Sequence, residues 1–118
     1  MISEKEVEIF EYNGPNYDPT MNSDGWRVAF LNYGEETEKE NLRFLERHHL
    51  TDEVFVLLKG EATLIVGKEM KLLPMEPYKI YNVKKDIWHS VYMSKDAKIL
   101  IVENHSTSPQ NSEYYYYR

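Results

Sequence analysis

Apolar residues along this chain fall into short runs rich in Val, Ile, Leu, Phe and Tyr, and turn-forming residues separate the runs. Gly, Pro, Asn and Asp mark the turns, for example at positions 13–15, 23–25 and 73–77. The runs are residues 7–12, 26–33, 54–58, 62–66, 79–83, 88–93 and 98–102. Short runs with frequent turns are typical of β-sandwiches and β-barrels. The pattern therefore predicts an all-β fold in a single domain spanning residues 1–118.

The segment 35–47 supports two different predictions. Its composition, dense in Glu, Lys, Leu and Arg, favours a helix. Alternation favours a strand, which would place Arg47 and His49 on one face and Glu46 and His48 on the other. Adjacent strand residues point to opposite faces, so His48 and His49 cannot both enter one pocket unless a bulge rotates the pair.

Composition and net charge argue against several classes of binding partner. The chain has 118 residues, a net charge of −6 and no block of basic residues, which argues against nucleic acid and anionic membranes as partners. It has no cysteine, which excludes disulfides and thiolate sites and fits a cytoplasmic location. We expect no secretion signal, because the first residues lack a basic segment followed by an apolar one.

The residues that could bind an ion or perform acid–base chemistry lie at three places in the sequence. The His48-His49 pair lies shortly before Glu53, which opens an apolar run that ends at Gly60, and His89 lies in a later run. Two imidazoles and a carboxylate on strands that could close on one another can form a pocket that binds an ion or performs acid–base chemistry.

These residues resemble the two sequence motifs of the cupin superfamily. The first motif reads Gly, five residues, His-x-His, three or four residues, Glu, six residues, Gly; His49, Glu53 and Gly60 match its second histidine, its glutamate and its closing glycine. His89 matches the histidine of the second motif, whereas Arg47 stands where the first histidine belongs. The resemblance covers about residues 41–102. It implies an RmlC-like cupin jelly roll, also called a double-stranded β-helix, with a strand starting near Asn41 after a charged turn.

The resemblance implies a pocket that can work in two ways. In the first, His49, Glu53 and His89 hold one divalent ion (Fe, Mn, Ni or Zn). In the second there is no metal: Arg47 pairs with Glu53 or binds an anionic ligand group, and His49 and His89 act as acid and base. A satisfied buried network without a ligand is the structural alternative to both. Further residues of matching parity are expected to line the pocket: Phe55, Leu57, Ile87 and Val91.

Within the cupins, the chain resembles small bacterial proteins related to ureidoglycolate lyase. This resemblance implies a small polar carboxylate as the ligand and a lyase reaction, with Glu53, His89 and His49 as catalytic residues and Arg47 as the carboxylate anchor. The alternative is a non-enzymatic module that binds or senses a small molecule at a degenerate metal site. Cupins commonly pair through their outer strands, so we also predict a homodimer.

The C-terminal segment 103–118 ends in four consecutive tyrosines, Tyr114 to Tyr117, before Arg118. Four adjacent aromatic residues cannot all face one core. We predict an edge strand or a strap over the barrel, with a ligand-stacking tail or a protein-interaction tail as the alternatives.

Overall fold

Ten strands form two five-stranded sheets that face each other. The computed structural model describes residues 1–118. The strands are β1 (Asn16–Asn22), β2 (Arg27–Asn32), β3 (Phe44–His48), β4 (Glu53–Lys59), β5 (Ala62–Val66), β6 (Lys71–Pro74), β7 (Tyr81–Val83), β8 (His89–Met93), β9 (Lys98–Glu103) and β10 (Ser112–Tyr116). The first sheet has the order β1-β2-β9-β4-β7 and the second β10-β3-β8-β5-β6. All paired strands are antiparallel.

The core lies between the sheets and follows from strict alternation along the strands. In β4 the side chains of Glu53, Phe55 and Leu57 are buried, while the residues between them are only partly covered. In β9 the same alternation buries Ile101 and Glu103. Since every second residue of a strand faces the same side, both glutamates continue apolar rows into the space between the sheets. Each row therefore ends in a buried acid.

A second, smaller core covers the outer face of the second sheet. Leu42, Leu45 and Ile65 are buried there, with Trp88 and Tyr117 packed against them. Leu45 is fully buried although it faces away from the barrel interior. The inward face of β3 is thereby left to Phe44, Glu46 and His48, because they have the opposite parity.

Several predicted element boundaries differ from the structure. The segment 35–47 forms two short 3-10 turns, Glu35–Thr37 and Lys39–Asn41, before β3 begins at Phe44, so the helix prediction is wrong. Residues 7–12 are not a strand, whereas β1 and β6 form in segments without a predicted run, and β10 lies in the C-terminal segment for which we predicted an edge strand or a strap. These three strands lie at sheet edges. Edge strands are covered on fewer sides and need not carry an apolar run, so alternation alone does not identify them.

Gly60 ends β4 in a conformation that other residues rarely adopt. Its φ is +74°, and a Cβ added there would lie 2.5 Å from Ala97 Cα. A side chain at this turn would meet backbone atoms as well as an unfavourable φ. The glycine therefore fixes the turn into β5 and the register of the strand that carries Glu53.

No helix in the structure has the length and apolar character needed to cross a membrane.

Candidate functional site

A cavity of about 910 Å³ opens between the two sheets. Its apolar wall includes Phe55 and Val91, and its polar part contains acids and imidazoles from both sheets, among them Glu46, His48, Glu53, His89 and Glu103. A concave pocket with a few convergent polar groups is the usual form of a small-molecule site.

Three strands bring the central polar groups together. Strand β3 supplies Glu46 and His48, β4 begins with Glu53, and β8 begins with His89. Glu46 and His89 are directly opposite each other in the antiparallel β3–β8 pair. Glu53 comes from the facing sheet. The cluster thus joins the two sheets across the barrel interior.

The Glu53 carboxylate lies against both imidazoles. Its Oε1 is 3.2 Å from His48 Nε2 and 3.1 Å from His89 Nε2. Oε1 of Glu46 is 3.6 Å from His48 Nε2. The ligand-type atoms of Glu46, His48 and His89 all lie within 4.8 Å of one another. Glu46 and Glu53 therefore both approach the same pair of imidazoles.

The outer nitrogens of the two imidazoles are already engaged. His89 Nδ1 donates to the Ile87 carbonyl at 3.0 Å. His48 Nδ1 is 2.7 Å from Ser112 Oγ, and that hydroxyl donates its own proton to the Ser108 carbonyl, so Nδ1 is the donor to Ser112. Such contacts fix the tautomer and orientation of metal-binding histidines. Both Nε2 atoms are left to face the carboxylates.

An Nε2 lone pair directed at a carboxylate is repulsive unless a proton or a cation lies between them. His89 Nε2 and Glu53 Oε1 are buried and are close enough to hydrogen-bond, but their orientation does not form a hydrogen bond. Ligands at the roughly 2.1 Å of Zn–N and Zn–O bonds lie about 3.0 to 3.4 Å apart at octahedral or tetrahedral angles. The contacts of Glu53 match that spacing, so the donor set fits a divalent metal ion.

Without a metal ion, the imidazoles of this cluster bind protons instead. Burial alone would lower the pKa of His48, but its contacts with Glu46 and Glu53 outweigh burial and raise the pKa to about 10. The same balance raises the pKa of His89, where Glu53 is the partner. Burial would raise the pKa of Glu53, yet the two imidazoles hold it well below its usual range. A metal ion must therefore displace protons from this cluster, which makes its binding pH-dependent.

A second polar network, centred on the buried Glu103, adjoins the cluster. The Tyr17 hydroxyl donates to Glu103, and Arg27 Nη1 lies 3.1 Å from Glu103 Oε2. Arg27 also donates to the His105 carbonyl at 2.6 Å and the Thr107 carbonyl at 3.0 Å. Burial and the neighbouring carboxylate of Glu53 raise the pKa of Glu103 to about 7. Arg27 is thus fully engaged by protein groups, whereas Arg43, the second arginine of the lining, is exposed.

Two predicted site residues lie elsewhere. Arg47 Nη2 pairs with Glu113 Oε1 at 2.7 Å, and its guanidinium stacks on Trp88 with its central carbon 4.5 Å from the ring centroid. His49 Nδ1 is 2.5 Å from Asp86 Oδ1, and its Nε2 is 2.9 Å from Glu113 Oε1. Neither side chain lines the cavity. The predicted pocket placement of His49 and Arg47 is therefore wrong.

The physical reason is strand parity combined with the length of one interval. The first cupin motif allows three or four residues before its glutamate. The structure uses four, which places Glu46 and His48 at the two histidine positions and leaves His49 outside. Burial of Leu45 in the outer core sets the register of β3, because a slip by one residue would reverse every side chain. Glu46 and His48 are the residues that the three-residue alignment missed.

Of the remaining predicted site residues, some lie at the cavity and others do not. The structure brings Glu53 and His89 together, and Phe55 and Val91 line the cavity near them. Leu57 is fully buried in the core and Ile87 is 40% exposed, and neither lines the cavity. Ile87 precedes β8, where strand alternation does not apply, and it contributes only its carbonyl to His89.

Solved structures of the same architecture include a cupin-2 domain protein from Shewanella frigidimarina. It is 17% identical, with 79% of this chain and 84% of that chain covered and a TM-score of 0.60. An RmlC-like cupin with a double-stranded β-helix from Methanocaldococcus jannaschii is 13% identical, with 83% and 90% covered and a TM-score of 0.61. The chain has the cupin fold. This confirms the predicted all-β jelly roll.

A third cupin-fold structure is Streptomyces Pac13, described as a unique nucleoside dehydratase. It is 13% identical, with 93% of this chain and 88% of that chain covered and a TM-score of 0.64. No family model and no curated protein match the chain. At these identities the similarity establishes the cupin fold, and the ureidoglycolate lyase-like resemblance is not confirmed.

Proposed function

We propose that this cupin-fold protein binds one divalent metal ion through Glu46, His48, Glu53 and His89 and holds a small polar molecule beside it. The observation that carries the proposal is the convergence of two Nε2 atoms on the buried Glu53 oxygen, without an in-line hydrogen bond between His89 and Glu53. Mixed imidazole and carboxylate donors suit Fe, Mn, Ni or Zn. When bound, the ion would supply Lewis-acid polarisation of a ligand oxygen.

The charges around the cavity favour a ligand with at most one negative charge. Arg27 already pairs with Glu103 and with backbone carbonyls, so Arg43 is the one remaining arginine of the lining. Glu35 and Glu36 add further negative charge to the lining. We therefore propose that a ligand carboxylate would bind at the metal ion, and that Arg47 has no part in anchoring it.

The chemistry that suits these groups is that of a lyase. Glu103 touches the metal-binding cluster, and a carboxyl with a pKa of about 7 can accept or release a proton near neutral pH. In a lyase step, a base removes a hydroxyl proton while a carbonyl forms and the leaving group departs. Ureidoglycolate is the first substrate to test. Release of urea that is lost in Glu53→Gln would support an enzyme, whereas binding without turnover would favour a sensing module.

Elemental analysis tests the metal proposal. Protein purified without chelator or metal-affinity tag is expected to hold one equivalent of Fe, Mn, Ni or Zn, and His89→Gln is expected to lose it. His49→Gln is the matched control and should retain the metal, because His49 pairs with surface acids outside the cavity. Wild-type protein that stays metal-free after incubation with each ion would contradict the proposal.

A metal-free acid–base site is the second candidate. The observation that favours it is the proton affinity of the cluster: in the absence of a cation, His48 is an imidazolium at neutral pH and Glu53 is a carboxylate. Pac13, a nucleoside dehydratase, shares the fold. The structure of Pac13 with uridine aligns with 93% of this chain. Turnover that persists in excess chelator would support this candidate over the metal-dependent one.

We also propose a homodimer formed by the outer face of the first sheet. Val54, Val56 and Leu58 point away from the core and are only partly covered. Pairing of two such faces would remove apolar side chains from water. Sedimentation that detects only a 14.1 kDa species at micromolar concentration would contradict the dimer.

A further inference from the structure

The C-terminal strand extends the polar cluster into a row of aromatic rings. In the antiparallel β3–β10 pair, Ser112 is opposite His48, Tyr114 is opposite Glu46, and Tyr116 is opposite Phe44. Because side chains of paired residues share a face, the cavity side of this sheet changes from polar to aromatic in steps of two residues. Each step along a strand is roughly 7 Å.

Three rings form this aromatic wall, which we define as Phe44, Tyr114 and Tyr116. The centroid of Phe44 is 5.3 Å from that of Tyr114, at an interplanar angle of 80°, and 5.1 Å from that of Tyr116, at 47°. All three line the cavity. Tyr114 is 38% exposed and Tyr116 is 64% exposed, so both rings retain area that a ligand could cover.

The other two tyrosines of the tail have structural partners on the opposite face. Tyr115 lies beside Trp88, with a centroid distance of 5.9 Å, and carries the Lys68 ammonium 4.4 Å from its ring centroid. Tyr117 packs on the outer core around Leu45. Packing therefore explains Tyr115 and Tyr117, whereas Tyr114 and Tyr116 contact only Phe44 among the aromatic residues.

We propose that the aromatic wall stacks a planar ring of the ligand while the ligand's carboxylate reaches the metal centre. This inference rests on the proposed function, because the polar end of the ligand is held there. Tyr114 lies directly across from Glu46, and Tyr116 lies one two-residue step further from it. The wall thus extends the ligand class from small polar carboxylates to aromatic or heteroaromatic acids whose carboxylate and ring are separated by roughly 7 Å.

A matched pair of acids tests the wall. 4-Phenylbutyrate and 4-cyclohexylbutyrate share the carboxylate and spacer but differ in the planarity of the ring. Aromatic pairing contributes beyond buried area, so wild-type protein loaded with Zn²⁺ should bind the phenyl acid roughly threefold to tenfold more tightly. A purely hydrophobic surface would favour the larger cyclohexyl group. Calorimetric or NMR titration measures both affinities.

Leucine substitutions keep apolar area while removing the rings. Tyr116→Leu and the double variant Tyr114→Leu/Tyr116→Leu should lose the preference for the phenyl acid. Tyr115→Leu lies on the same strand with its side chain on the other face, so it is the matched control and should retain the preference. Tyr116 is mostly exposed, which makes its single variant safe for folding; thermal unfolding of each variant checks this.

Zinc content measured on the same samples separates the two proposals. If the protein binds zinc but has equal affinities for the two acids, the stacking role of the aromatic wall is overturned and the metal site is not. The same holds if the preference for the phenyl acid persists in the double variant. Failure of both acids to bind zinc-loaded protein would also overturn the stacking role. If the protein takes up no zinc, the proposed function is overturned. The stacking role of the aromatic wall is then overturned as well, because it depends on the metal centre.

Discussion

Replacing His48 with glutamine should destabilise the metal-free protein far more than replacing its neighbour His49. The His48 side chain is 11% exposed and contacts Glu53, Glu46 and Ser112. Losing a buried hydrogen bond to a charged group costs about 1.5 to 3 kcal/mol. With an unfolding entropy of about 2.1 cal/mol/K per residue, 118 residues convert this to a drop in Tm of roughly 6 to 12 °C.

The control variant His49→Gln makes the same substitution at an outward-facing position. His49 is about one-third exposed, and its partners Asp86 and Glu113 are about half exposed. Exposed ion pairs contribute little to stability because water and salt screen them. We therefore expect the Tm of His49→Gln to lie close to that of the wild type.

The difference between wild type and His48→Gln should also depend on pH. Folding raises the pKa of His48 from about 6.5 to about 10, so the folded state binds a proton more tightly than the unfolded state. The resulting stability is fully present below about pH 6.5 and is lost as the pH rises through about 10. The difference should therefore be large at pH 6 and small near pH 10.

Urea unfolding in chelator-containing buffer at pH 6, 8 and 9.5 measures these free energies for the three proteins. Equal destabilisation by the two substitutions would refute the assignment of His48 to the interior. A difference between wild type and His48→Gln that does not change between pH 6 and 9.5 would refute the raised pKa as its source.

Three further predictions concern the surroundings of the site. Arg27→Met should destabilise the protein by about 1.5 to 3 kcal/mol because the buried Glu103 carboxylate loses its ion-pair partner and keeps only the Tyr17 hydroxyl; adding Glu103→Gln should restore part of the loss in a double-mutant cycle, and additive effects would contradict the pairing. Gly60→Ala should lower Tm more than Gly25→Ala, since both have positive φ but only Gly60 faces backbone atoms within 3 Å; equal shifts would contradict the close approach. Zinc at 100 times its Kd should stabilise wild type by about 2.7 kcal/mol and His89→Gln by much less, whereas equal stabilisation would contradict binding at His89.

The fold could be predicted where burial is two-sided and alternation is strict. The row Glu53, Phe55 and Leu57 shows a period of two between a turn and Gly60, and it forms a central strand in the structure. Glu53 could be recognised as a site residue because it matches the glutamate of the first cupin motif at the start of this row. His89 could be identified from its motif position, and it lies 3.1 Å from Glu53.

The register of β3 could not be predicted, and the error in the site follows from it. Leu45 has the same parity as Arg47 and His49, which the cupin resemblance placed in the pocket, but it packs in the outer core together with Tyr117. The sequence does not reveal that second core, because the residues that cover it, Trp88 and Tyr117 among them, come from distant parts of the chain. Once Leu45 faces outward, Glu46 and His48 must face inward.

Anomalous diffraction from crystals grown with Co²⁺ tests most directly whether Glu46, His48, Glu53 and His89 meet at one cation inside the barrel. We predict a single peak between the two sheets, about 2.0 to 2.2 Å from both Nε2 atoms and from a Glu53 oxygen. A peak at His49 on the outer surface, or an interior without a peak at saturating Co²⁺, would contradict the metal centre.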